Sequence, residues 1–396
     1  MYILNYEKNF KLNLPIAKFP KRYEQLQKSD KQNIIYIKED FEHMTFRYRA
    51  YNIMETMKKN NNYEVNCFLV EELENITNLI DKISIIVLQR ARWSYELENF
   101  INLLKKMNKI IIFDMDDMIY HTKYAAKFIN SISNYDEPHI DSIFATSIRH
   151  EIVAEMCDGF IVTTETLKEH IENDFKKPAW IIRNYLNVEQ ENVSKDIVLQ
   201  KKKNYDNSKF LIGYFSGTKT HKRDLEIIES TIIKLIEKYP NIYLNIVGHI
   251  LLSDKLKKLQ KEGRIIIDDL VPFEELQYKI GKVDVNIIPL QKHTFNDCKS
   301  ELKYFEASIV NTITCATDNI VYTSIIEDGE DGFLCNELEW FEKLEYIYLN
   351  QDKMESIIQK ANEKCYNLYK NSNQEKTITN VYDEIIATLG DKNKTY

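Results

Sequence analysis

Glycine is scarce in this chain: there are nine among 396 residues, none before Gly159 and seven between Gly213 and Gly332. A dinucleotide fold of the Gly-rich type needs a G-x-G-x-x-G turn after its first strand. Residues 1–158 cannot supply it. Paired cysteines are missing too. Cys67, Cys157, Cys298, Cys315, Cys335 and Cys365 lie far apart with no C-x-x-C pair, which argues against a disulfide framework and a zinc site, and they read as reduced thiols. There is no surplus of positive charge. The formal net charge of −8 has the wrong sign for general nucleic-acid binding, although a local basic pocket remains allowed. No apolar run reaches the roughly 18 residues that span a bilayer. The segment MYILNYEKNFKLNLP has no long apolar stretch ending in a small-residue cleavage site. A cytoplasmic protein is expected, with peripheral association at the inner face of a membrane left open.

What the chain does have is enough apolar side chain to build cores: 44% of residues are hydrophobic, 12% aromatic and 29% charged. Its 396 residues exceed what one core usually serves, so two domains are expected. Short apolar runs alternate with longer amphipathic ones, the pattern of parallel sheets with crossover helices. In the first half, strands are predicted near 34–37, 65–70, 83–88, 109–113, 159–163 and 180–183. The polar, turn-rich stretch 190–208 reads as an interdomain linker. A second alternation follows, with strands near 210–215, 242–247, 264–267, 285–289 and 312–316 and helices near 222–238, 273–281 and 299–309. The expected division is therefore 1–189, a linker at 190–208, 209–374, and a last helix within 375–396 that returns to the first domain.

Two helix starts in the second half carry the wrong charge. FLIGYFSGTKTHKRDLEIIE reads strand, glycine turn, helix, with Thr220 as N-cap and Lys222 and Arg223 in the first turn. The partial positive end of a helix disfavours each exposed cation there by about 0.3–1 kcal/mol. An anion would reverse that cost, and free backbone N–H groups after Gly217 and Thr218 together with two cations suit a phosphate. The oddity recurs in FNDCKSELKYFEASIVNT, where a helix is predicted to start near Asn296 or Asp297 with Lys299 in its first turn. Leu302, Phe305 and Ile309 form a packing stripe, and Lys299, Lys303 and Glu306 form another. Two ammonium groups near the helix start and a carboxylate two turns in would suit a diphosphate followed by a ribose. A solvated helix face would show the same letters.

From Leu211 to Leu334 the chain resembles the retaining group 1 glycosyltransferases of GT-B fold, and more weakly so over residues 33–390. The marks are GYFSGTKTHKRD, NIIPL, FNDCKSELKYFEA and EDGEDGFL. The resemblance implies an α/β protein with two tandem Rossmann-like domains facing across a cleft, closed by C-terminal helices. It implies that Glu306 holds the donor ribose and that Lys222 and Lys303 bind the diphosphate. Gly217, Thr218, Arg223, Lys299 and Ser300 stand beside them, Val271 and Phe273 would wall the base, and Gly248 would let backbone approach the ligand. The usual pattern has a second Glu eight positions before the ribose carboxylate. Cys298 stands there, as in the branch with a K-S-x-x-K-x-x-E run, here Lys299, Ser300, Lys303 and Glu306. The implied reaction moves a hexosyl group from a nucleoside-diphosphate sugar to a hydroxyl of a glycan, glycolipid or glycoprotein, with lysines in place of a metal and no cofactor.

In the first half, KIIIFDMDDMIYH ends a strand with Asp114, Asp116 and Asp117, followed by His121. Carboxylates so close repel one another, and burial would require cations, hydrogen bonds or protonation. Asp116 and His121 are the candidate catalytic helpers across the cleft. Two alternatives share these letters: a metal-dependent phosphatase of haloacid-dehalogenase type using Asp114 and Asp116, and a non-catalytic sugar-nucleotide-binding subunit. Arg47 with Arg49, and Arg90 with Arg92, are expected either as exposed cations or as acceptor-binding groups.

Overall fold

The computed structural model of the protein describes residues 16–41, 44–131, 136–203, 208–217, 222–248, 250–271 and 273–390, without the side chains of Met44, Asn130, Ser131, Lys202, Lys203, Lys222, Phe273 and Glu274. Two six-stranded parallel sheets stand in tandem. The first contains β1 (Gln32–Lys38), β2 (Tyr63–Leu69), β3 (Ile83–Gln89), β4 (Ile110–Met115), β5 (Gly159–Val162) and β6 (Ala179–Ile181), in the order β2-β1-β3-β4-β5-β6. The second contains β7 (Phe210–Gly217), β8 (Ile242–Gly248), β9 (Ile265–Asp268), β10 (Val285–Ile288), β11 (Ile313–Thr317) and β12 (Phe333–Cys335), in the order β12-β11-β10-β7-β8-β9. Parallel strands covered by helices on both faces are apolar throughout. That explains IIYI in β1 and IIIF in β4, whose residues are buried on either side.

Each sheet has a point where crossovers leave in opposite directions, between β1 and β3 in the first and between β7 and β10 in the second. Open α/β sheets bind ligands at such points, beyond the carboxyl ends of the strands. The segments that leave these ends meet across a seam between the domains. Thr164, after β5, donates to the Cys298 carbonyl at 3.2 Å. Asn184, after β6, donates to Ser300 Oγ at 3.0 Å. One apolar cluster crosses the seam, joining Tyr36, Ile53 and Tyr185 to Tyr304, Phe305 and Tyr382. Phe305 also stacks on Tyr369 at 4.5 Å.

The stretch expected to be turn-rich, 190–208, is helical as far as Lys203, within Val188–Lys203. Its polar residues misled because several point inward: Gln190 and Ser194 have no exposed surface. Lys201, on the same helix, donates to the carbonyls of Val283 at 3.1 Å and Asn311 at 2.9 Å and to Thr312 Oγ1 at 3.1 Å. Gly281 is required where that helix crosses Phe273–Gly281, since a Cβ there would run into Ile197. The final helix, Glu375–Leu389, lies on the first domain through the Tyr382–Tyr36 hydroxyl pair at 3.1 Å and through Asn60, which donates to Glu375 at 3.0 Å. Among the described residues no helix is long and apolar enough to cross a membrane.

The first domain is pinned by a buried ion pair. Arg49 binds Asp114 with two nitrogens, at 3.1 and 2.7 Å, and neither side chain has exposed surface. Removing one partner would strand a charge in the core, a loss of about 3–5 kcal/mol. Arg49→Ala is therefore expected to unfold at markedly lower denaturant concentration than the unaltered protein; an unchanged midpoint would show that the pair contributes nothing.

Candidate functional site

On the second-domain side, β7 ends at Gly217, which pairs with Gly248 at the end of β8. Gly248 has φ +111°, a conformation that a side chain would oppose. Thr218 and the expected cap Thr220 lie outside the described residues. The helix Lys222–Lys238 begins where expected, and Arg223 at its start is exposed. Its first turn is not purely cationic. Asp224 is buried and accepts from the Gln291 backbone at 3.1 Å and from Gln291 Nε2 at 3.2 Å, tying this helix to the segment after β10.

The helix expected to run through 299–309 is divided. A short turn Thr294–Asp297 is capped by His293, whose Nδ1 accepts from Asn296 N–H at 3.2 Å, and a second helix runs Leu302–Ser308. Lys299 thus sits in the break and not in a first turn. It lies over the Phe295 ring at 5.0 Å. The break exists because Phe295 and Cys298 are drawn into the core of the first domain, Phe295 packing on Phe128 at 4.9 Å. Cys298 has no exposed surface, so an ionised carboxylate at that position would require a buried cation or hydrogen-bond donors.

Lys303, in the first turn of the second helix, is partly buried, 5.9 Å from the Tyr214 ring. Burial, followed by repulsion from Lys299, pushes its pKa down to about 8 against the pull of Asp224 and Glu306. Glu306 is buried at 6% exposure and accepts from Tyr48 Oη of the first domain at 2.6 Å. Burial raises its pKa, opposed by that hydrogen bond and by Arg47 and Lys303. Ser300 accepts from Asn184 as described above. Val271 is half-buried against the shared apolar cluster, and Phe273 opens the helix Phe273–Gly281.

On the first-domain side the carboxylates are answered by cations. Asp114 is committed to Arg49. Asp116 pairs with Arg90, which also reaches Asp117 at 3.6 Å. Burial opposes ionisation of Asp116, yet Arg90 and Arg49 outweigh it and hold the carboxyl below its usual range. Asp117 goes the other way, raised by burial and drawn back by Lys299 and Arg90. Arg90 has φ +46°, a strained conformation for a non-glycine residue at a strand exit. Lys38, at the end of β1, donates to Thr45 Oγ1 at 2.8 Å, and burial with Arg90 nearby lowers its pKa to about 7.

The four arginines considered as exposed cations or acceptor-binding groups are all engaged by protein partners, Arg90 by Asp116 as above. Arg49 is in the core, Arg47 is buried and donates to Gln190 at 2.6 Å, and Arg92 binds Glu39 through two nitrogens. His121 stands 3.2 Å from Glu151 and accepts from Lys123 N–H at 3.3 Å, at the start of the helix Thr122–Ser131. The phosphatase alternative needs Asp114 as a nucleophile, and a fully buried carboxylate gripped by a guanidinium has no access to phosphorus. Among the described residues no three His, Cys, Asp or Glu side chains are grouped as a metal site requires.

Tyr48, Asp224 and His293 were not singled out in the sequence. Asp224 had a signal, an acidic residue in a first turn; Tyr48 had none, because its partner is 258 positions away.

No protein-family profile and no curated protein matches the chain. Solved structures do. The Anabaena protein HepE in complex with UDP superposes with a TM-score of 0.58 at 11% identity, over 89% of this chain and 100% of that one. A glycosyltransferase from Rickettsia africae gives 0.62 at 13% identity, over 90% and 99%. Sucrose-phosphate synthase from Thermosynechococcus elongatus gives 0.58 at 13%, over 90% and 100%. At these identities the likeness establishes the fold, and the fold is GT-B.

The Tyr48–Glu306 bond has a pH signature. A carboxyl whose folded pKa is raised above its unfolded value loses stability as pH rises through the interval between the two. Removing the hydroxyl donor raises it further. Tyr48→Phe should therefore lower stability by about 1.5–3 kcal/mol where Glu306 is ionised. Melts at about pH 5 and about pH 8 should show the larger deficit at the higher pH; an equal deficit at both would mean that Glu306 carries no charge in the seam.

Proposed function

We propose that this protein is a retaining glycosyltransferase that moves a hexosyl group from a nucleoside-diphosphate sugar to a hydroxyl of a glycan or glycoconjugate. The observation that carries the reading is Glu306, a buried carboxylate in the seam between two Rossmann-like domains, on a helix that carries Lys303 in its first turn and follows Lys299. Ribose hydroxyls donate to a carboxylate, and a diphosphate needs cations. Lys303 and Glu306 follow β10, one of the two strands flanking the switch point of the second sheet, and open α/β sheets bind ligands at such points, which supports the reading. HepE, of the same fold, is described with UDP and with UDP-glucose, which supports a nucleotide-sugar donor.

In this reading Gly217, Thr218, Gly248, Lys222 and Arg223 receive the phosphates from the β7 side, and Lys299, Ser300 and Lys303 from the β10 side. Val271 and Phe273 flank the base. Tyr48 must release Glu306 or share it when the ribose enters. The bond from the anomeric carbon to the diphosphate oxygen breaks while the acceptor oxygen bonds to the same face, and the acceptor proton passes to the departing diphosphate. Negative charge grows on that leaving group, so cations fixed beforehand lower the barrier. Asp116, kept ionised by Arg90, faces the acceptor side, and His121 is assigned an orienting part only. The protein needs no metal for this chemistry, and turnover should persist in EDTA.

Three measurements test the reading. Glu306→Gln should weaken nucleoside-diphosphate affinity in calorimetry by about tenfold, and equal affinity would remove the ribose assignment. Lys303→Ala should lower kcat/KM by about 1.5–3 kcal/mol; full turnover would remove the leaving-group role. Proton NMR of the fresh product should show the donor's anomeric configuration, and inversion would contradict the mechanism. Donor affinity with neither transfer nor slow hydrolysis would identify a binding subunit instead.

A further inference from the structure

Between the short turn Thr294–Asp297 and the helix Leu302–Ser308, the segment that carries Lys299 and Ser300 is gripped by side chains of the first domain. Thr164 Oγ1 donates to the Cys298 carbonyl at 3.2 Å, and Arg183 reaches the Glu301 carboxylate at 3.4 Å. Between these two contacts, Asn184 Nδ2 donates to Ser300 Oγ at 3.0 Å. Tyr369 Oη also donates to Glu301, at 2.6 Å. A non-helical segment keeps one geometry only where neighbours that are themselves fixed impose it.

The Asn184 contact fixes polarity as well as position. Asn184 is buried, and its carboxamide has one accepting end and one donating end. Arg49 Nη1 donates to its Oδ1 at 3.4 Å. A guanidinium cannot accept a hydrogen bond, so it keeps the amide oxygen on its own side and turns the NH2 group toward Ser300. Arg49 is itself held by the buried carboxylate of Asp114. Ser300 Oγ therefore receives a proton from Asn184, and its own O–H must point elsewhere. Ser300 is half-buried, and among the described residues no acceptor takes that proton.

We propose that Asn184 is a positioning residue for the donor phosphates: it makes Ser300, which stands between Lys299 and Lys303 in the chain, present its hydroxyl proton to a phosphate oxygen. Polarity passes through four side chains, from Asp114 to Arg49 to Asn184 to Ser300, and each dictates the sense of the next. This rests on the donor reading above and adds to it a residue that sets the phosphate site without touching the donor. It also gives the buried ion pair of the first domain a use beyond stability.

Asn184→Asp keeps the shape and the oxygen that Arg49 binds. At about pH 8 its ionised carboxylate can only accept, so the Ser300 proton turns back to it and is lost to the phosphate. Calorimetry of UDP and GDP on the full chain, with Asn184→Asp and Ser300→Ala alone and combined, measures the coupling. Each single variant should bind the diphosphate about tenfold more weakly, with an unchanged melting temperature. Beside Ser300→Ala, the Asn184 substitution should cost no more than about twofold, a non-additivity that neither charge repulsion nor a loosened seam would give. The same cycle with Asn184→Ala, which leaves the hydroxyl free to turn, should show a loss of about threefold that also disappears beside Ser300→Ala, and it carries the test if the first variant does not fold. An equal cost in both backgrounds, or no cost in the first, would overturn the assignment. If neither UDP nor GDP binds the unaltered protein, the donor reading itself falls instead.

Discussion

Lys299 and Lys303 stand close enough to repel each other, and Lys303 has also lost much of its hydration. Two ammonium groups held in this way lower the stability of the empty protein, and the arrangement persists because the surrounding structure fixes it. Lys299 is held out of regular helix by Phe295 and Cys298, which are buried against the first domain. Lys303 is tied through its carbonyl, which accepts from Asn286 of β10 at 3.1 Å. Asp224 and Glu306 offset part of the charge and are themselves engaged, Asp224 by Gln291 and Glu306 by Tyr48.

The first domain is built in the opposite sense. Arg49 answers Asp114 and Arg90 answers Asp116, so its strand exits are internally balanced. It contributes to the seam through the neutral groups of Tyr48, Thr164 and Asn184 and through Arg183, which stands 3.4 Å from Glu301. The helix Val188–Lys203 reaches both domains, with Val188 N–H on Glu55 at 2.9 Å and Lys201 on the second sheet. The final helix lies back on the first domain.

Much of the fold was legible because parallel strands buried on both faces leave unbroken apolar runs, and eleven of the twelve strands announced themselves in that way. The twelfth, Phe333–Cys335, is three residues long and has too few letters to signal. Residues 190–203 were opaque because polarity was taken as exposure, whereas Gln190 and Ser194 face inward. The site was half legible. Lys303 and Glu306 fall on one helix as their spacing suggested, but Lys299 does not, because the break around Cys298 arises from packing against another domain. Arg49 and Asp114 lie 65 positions apart, and nothing local distinguishes a core guanidinium from a solvated one.

The central proposal is that a diphosphate binds beside Lys303, whose pKa burial and Lys299 lower to about 8, so that at alkaline pH its arrival draws a proton onto that amine. Calorimetry of UDP or GDP binding at about pH 8.5, in two buffers of different ionisation enthalpy, measures that proton directly. The account predicts uptake of a large fraction of one proton by the unaltered protein and none by Lys303→Arg, whose guanidinium is already charged. Binding without proton uptake, or the same uptake in Lys303→Arg, would contradict it.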